Sequence, residues 1–123
     1  MLDVKSKNQT NVRFRAYEFS LAILRLVQNF PNNKIYSIFT DQLLRSTTSV
    51  GANLIEARCA SSKKDFSRFY RIALKSANET EYWLHSLKDG KLANQDQIIN
   101  LINEVTQISK MIASSVLTLK GKD

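Results

Sequence analysis

A chain of 123 residues, 43% of them hydrophobic, is sized for one domain over residues 1–123 that buries roughly two-thirds of its unfolded surface. Its 18 Lys and Arg against 11 Asp and Glu leave a net charge of +7, which points to anionic partners. A single cysteine, Cys59, excludes an intrachain disulfide framework and fits a reducing, cytoplasmic compartment.

The N-terminal stretch MLDVKSKNQT has no apolar run, so it does not read as a secretory signal. No segment supplies the ~20 apolar residues of a membrane span. Three glycines and one proline leave no flexible linker or low-complexity tract.

The first predicted helix runs from about Asn11 to Asn29. Phe14, Tyr17, Leu21, Leu24 and Gln28 lie on one stripe, and Phe19, Ile23, Leu26 and Phe30 on another. Pro31 ends it by pushing the preceding residue out of the α region. Asn32 and Asn33 supply turn chemistry.

The second predicted helix, from about Ser37 to Cys59, carries one charge, Arg45, between Gln42 and Ile55. A solvated amphipathic helix spends a whole face on charge, so this one is expected to be covered on more than one side. On a 3.6-residue wheel Phe39, Leu43, Val50, Leu54 and Ala57 form the apolar seam. Gln42, Arg45, Ser49, Asn53 and Glu56 form a polar ribbon beside it. Polar groups next to a core must be hydrogen-bonded. Arg45 and Glu56, three turns apart, are therefore expected in a buried network completed by Ser76 and Glu79 of the next helix.

Ser62-Lys63-Lys64-Asp65 opens the third helix as a capping box, and Gly90 is the expected left-handed C-cap after Asp89. Its core face is Phe66, Phe69, Ala73, Ala77, Thr80, Leu84 and Leu87. Opposite lie Lys64, Arg68, Arg71 and Lys75, at i, i+4, i+7 and i+11. Such a stripe is the electrostatic footprint of phosphate binding. Tyr70 and Tyr82 flank it as aromatics able to stack on bases, Tyr70 toward the core side. The competing reading is a solvated face that keeps a basic protein soluble.

Asn94-Gln95-Asp96-Gln97 is a second capping box. It starts a fourth helix that runs to about Leu119 with Ile98, Leu101, Ile102, Val105, Ile108, Ile112 and Val116 at i, i+3, i+4 spacing. No alternating run bounded by hairpin turns suggests a strand. Long helices joined by short loops predict an all-α, antiparallel up-down-up-down four-helix bundle.

Arg45-Ser46, Ser49-Val50-x-Ala52-Asn53-x-x-Glu56, then Phe66, Phe69, Ala73 and Ser76-Ala77-x-Glu79 resemble the signature of bacterial four-helix bundle proteins encoded by intervening sequences in 23S ribosomal RNA genes. The chain is similar, more distantly, to accessory proteins of the reverse transcriptase of diversity-generating retroelements. It departs from the pattern at Ala57 and Lys75, where the family usually has glycine. The resemblance implies a homopentameric ring, RNA or DNA as ligand, and a nucleoprotein enzyme such as a reverse transcriptase as a further partner.

Catalysis finds little support. His85 is the sole histidine, and Cys59 reads as a small buried filler. No metal-ligand spacing and no glycine-rich phosphate loop is present, so neither a metal nor another cofactor is expected. The reading is a non-enzymatic, nucleic-acid-binding oligomer, with a pure assembly or protein-interaction module as the alternative.

Overall fold

The computed structural model describes residues 11–121, which form four helices: α1 (Val12–Gln28), α2 (Lys34–Ala57), α3 (Lys63–Asp89) and α4 (Gln95–Gly121). The described residues include no strand, so the all-α expectation holds.

Each helix begins on a side chain that accepts its free backbone N–H groups. Asn11 Oδ1 takes the N–H of Arg13 (2.9 Å) and Phe14 (3.2 Å). Asn33 takes that of Tyr36 (3.1 Å), Ser62 that of Asp65 (3.0 Å), and Asn94 that of Gln97 (2.9 Å). Such a cap contributes about 1 kcal/mol. Both predicted capping boxes thus form their side-chain-to-backbone half. Asn33 is the cap of α2 rather than a plain turn residue, so that helix starts three residues before the expected Ser37.

The end of α3 also differs from expectation. Gly90 has φ −78°, in the right-handed region, and the left-handed residue is Lys91, with φ 58°. The Leu92 N–H bonds to Leu87 O (2.9 Å) and the Lys91 N–H to Lys88 O (3.1 Å). This is the Schellman pattern, and it places the C′ position at Lys91. Leu92 then packs against the core, and that anchor sets where the chain reverses.

One hydrophobic core draws on all four helices. Ile23, Leu43, Leu54, Leu84, Leu87, Ile98, Ile108 and Ile112 are fully buried. Each helix packs on the next, and α1 also packs on α4. Cross-helix pairs fix direction: Ser46 meets Thr80 while Ser49 meets Ser76, so α2 and α3 are antiparallel. Glu81 meets Ser109, while Phe66 and Tyr70 share a cleft with Ser115 and Leu119, so α3 and α4 are antiparallel too.

The α1–α4 contact is fastened by one residue the sequence did not single out. Arg15 donates two hydrogen bonds to Glu104, Nε to Oε2 at 3.0 Å and Nη2 to Oε1 at 2.7 Å, and a third to Gln107 at 2.7 Å. The hydrogen bond to Glu104 raises the Arg15 pKa above its ordinary value. This fork spans 89 positions, beyond the reach of helical periodicity.

Candidate nucleic-acid interface

The sequence of α3 separates by face as the wheel requires. Ala73, Ala77, Thr80, Leu84 and Leu87 point into the core, and Lys64, Arg68, Arg71 and Lys75 are all exposed. Arg68 is the one member of this row held by a neighbour. It bonds to Asp65 (2.8 Å) and lies over the Phe69 ring, 4.4 Å from the centroid. Among the described residues Lys64, Arg71 and Lys75 make no ion pair. A shallow cleft of about 310 Å³ lies at the start of α3, lined by Ser61, Ser62, Lys64, Asp65, Arg68 and Arg71. The helix N-terminus adds its own partial positive charge there. Phosphate oxygens suit such a surface, because its four cations are exposed and three of them have no ion pair among the described residues.

The two flanking tyrosines part ways. Tyr70 is buried and stacked on Phe66, with ring centroids 4.7 Å apart, so it is a core residue rather than an exposed platform for a base. Tyr82 is 63% exposed.

On the polar ribbon the structure brings some of the expected residues together and leaves others apart. Ser49 and Ser76 hydroxyls are 2.8 Å apart, and Asn53 Nδ2 donates to Ser49 Oγ (3.1 Å) and Ser49 O (2.8 Å). Ser46 and Thr80 extend the seam. Thr80 Oγ1 is 2.8 Å from Ser46 Oγ and 2.9 Å from Ser76 O. The sequence assigns Thr80 to the core face and gives neither residue a place in the network, although both are small hydroxyl residues one turn from the Ser49–Ser76 contact. Arg45, Glu56 and Glu79 do not join the network. All three are exposed, and none forms an ion pair among the described residues. Short hydroxyls can bridge two closely packed helices, whereas these longer charged side chains reach past the seam into solvent.

The α1–α2 side opens a larger groove of about 630 Å³, lined mainly by apolar and small residues: Tyr17, Leu21, Leu24, Gly51, Ala52 and Ile55. Arg13 and Glu56 also line it. A Cβ placed on Gly51 would meet nothing within 4 Å, so no neighbour among the described residues demands that glycine.

Cys59 is exposed rather than buried, because α2 ends at Ala57 and the turn turns its side chain outward. His85 is exposed on α3. Among the described residues no group of three or more His, Cys, Asp or Glu side chains is placed to hold a metal ion. No described helix is long and apolar enough to cross a membrane.

Comparison with curated proteins finds no significant match. Among solved structures the chain is similar to a protein with unknown function from the S23 ribosomal protein family of Bacteroides thetaiotaomicron VPI-5482, whose crystal structure is at 1.70 Å. The two share 38% identity and a TM-score of 0.80, over 85% of this chain and 97% of that one. Residues 8–114 match the family profile described as 23S rRNA-intervening sequence protein. With its four helices and this coverage, the chain belongs to the 23S rRNA-intervening sequence protein family.

Proposed function

We infer that the protein is a non-enzymatic homo-oligomer, pentameric in form, that binds structured RNA through the basic row of α3. The observation that carries the RNA reading is the row itself: four exposed cations on one face, three of them without an ion pair among the described residues. The family description, which ties the group to an intervening sequence of ribosomal RNA, favours RNA over other polyanions. Binding of this kind is directed at the backbone and weakens with salt.

Self-assembly draws support from the α1–α2 groove. A charge-poor helix beside an open apolar groove of about 630 Å³ suits a second copy, and Arg13 and Glu56 give that groove charges of both signs. Rotation between heterologous faces closes such contacts into a ring.

The test is retention on heparin and on immobilised RNA at rising salt. Wild type is compared with a variant carrying Gln at positions 64, 68, 71 and 75. The RNA reading expects earlier elution of the variant, with an unchanged helical circular dichroism spectrum and unchanged mass in solution. Identical elution of the two proteins would favour the assembly module, whose charge serves solubility.

A further inference from the structure

The basic row does not stop at Lys75. Seven residues occupy nearly two turns, so Tyr82 falls on the same face as Lys75, about 10 Å further along the axis. Asn78 lies between them, and both Asn78 and Tyr82 are exposed. From Lys64 to Tyr82 the row is about 27 Å long.

Its two ends differ in character. The first half is cationic. Beyond Lys75 the nearest charge on the helix is the carboxylate of Glu79, which is exposed and without an ion pair among the described residues. Phosphates are repelled there, whereas an uncharged base is not.

Tyr82 also has an aromatic neighbour at its back. Its ring meets Trp83 edge-to-face, with centroids 5.0 Å apart at 78°. Trp83 in turn meets Phe39 of α2 edge-to-face, at 5.9 Å and 89°. A chain of three rings therefore braces an aromatic that keeps 63% of its surface in solvent. A fixed ring loses little freedom when a ligand stacks on it.

We propose that this face of α3 takes a single-stranded segment of nucleic acid, with phosphates on Lys64, Arg68, Arg71 and Lys75 and an unpaired base stacked on Tyr82. The proposal rests on the phosphate-binding reading above and narrows it from nucleic acid in general to unpaired strands. In a structured RNA such strands are loops, bulges and ends, whose bases are free to splay onto aromatic rings. A paired base inside a duplex offers no open face to Tyr82. Stacking on an aromatic is tolerant of base identity, in keeping with the lack of any base-reading motif in the sequence.

The test is fluorescence anisotropy with a labelled 12-nucleotide oligo-U, the matching oligo-dT and a 12-base-pair duplex, near 50 mM salt. Wild type, Tyr82→Ala, Tyr82→Phe and the four-Gln variant are compared, with solution mass measured for each. Wild type is expected to prefer both single strands to the duplex. Tyr82→Ala should lose about 5- to 150-fold on the single strands, as removal of one stacking aromatic does. It should keep its duplex affinity and its mass, and Tyr82→Phe should retain single-strand binding.

Equal losses on single strand and duplex, no loss at all, or a change in mass would overturn the proposal. Binding that is abolished by the four-Gln variant yet indifferent to Tyr82 would refute stacking and leave the phosphate row standing. Absence of binding by wild type to every probe would overturn both.

Discussion

Thr47 lies at the centre of the bundle, 1% exposed, and its hydroxyl has no hydrogen-bond partner among the described residues. Its neighbours in sequence show the contrast: the Ser46 hydroxyl is bridged by Thr80, and Thr48 Oγ1 donates to Leu44 O at 2.6 Å. A buried, unsatisfied hydroxyl costs about 1–3 kcal/mol, and replacing it with an apolar group of similar shape removes that cost. Thr47→Val is expected to raise the free energy of unfolding by about 1 kcal/mol; chemical denaturation showing a loss of similar size would contradict this. Lys91 gives a second case. A non-glycine residue at φ 58° carries left-handed strain of about 1–2 kcal/mol, part of which Lys91→Gly gives back through the entropy of the unfolded chain. A net gain of about 0.5–1 kcal/mol in the same assay is the expected outcome, and a lower midpoint would show that the Lys91 side chain matters more than its backbone.

At the scale of the helices, much was legible in the sequence because helical signals are local. Four apolar stripes at 3.6-residue period, Pro31, and the caps Ser62 and Asn94 place the elements to within a few residues. The misreadings concern choices that local pattern leaves degenerate. Asn32-Asn33 reads equally as turn or cap, and the extended backbone of Asn33 decides it. Gly90 is the natural left-handed residue by type, yet the docking of Leu92 shifts the reversal one position on. Along the polar ribbon the hydrogen bonds form where side chains are short, as at Ser49, Asn53 and Ser76. The ribbon was misread where they are long, because a wheel gives a direction but no reach. Arg15–Glu104 was invisible for a different reason: it joins the first helix to the last, and no periodicity encodes such a pairing.

For the whole molecule, the α1–α2 groove and the α3 row are separate surfaces with separate expected roles. Gly51 tests the first. A Cβ there meets nothing within 4 Å and the position borders the open groove, so Gly51→Trp should place its ring in the groove and leave the helical spectrum and the fold intact. If a second copy covers the groove, the same change obstructs it. Light scattering at micromolar concentration should then return an oligomer for wild type and a smaller species for Gly51→Trp. A wild-type monomer would refute assembly outright, and an unaltered oligomer would move the interface elsewhere.

The row of α3 was legible in the sequence as spacing and charge, and the structure adds that its four cations are exposed with only Arg68 engaged, by Asp65. What the spacing could not distinguish was a phosphate track from a solvated face, since both place cations opposite a core. Salt dependence separates them, because each phosphate contact releases counterions whereas a solvated lysine releases none. On a single strand the logarithm of the binding constant falls against the logarithm of salt by about 0.7 per contact. Measured on one single-stranded RNA, wild type should show a steep slope, and replacing Lys64, Arg68, Arg71 and Lys75 with Gln should flatten it by roughly 3 for each bound protomer. A slope that is the same in both proteins, or no binding by wild type near 50 mM salt, would contradict the account.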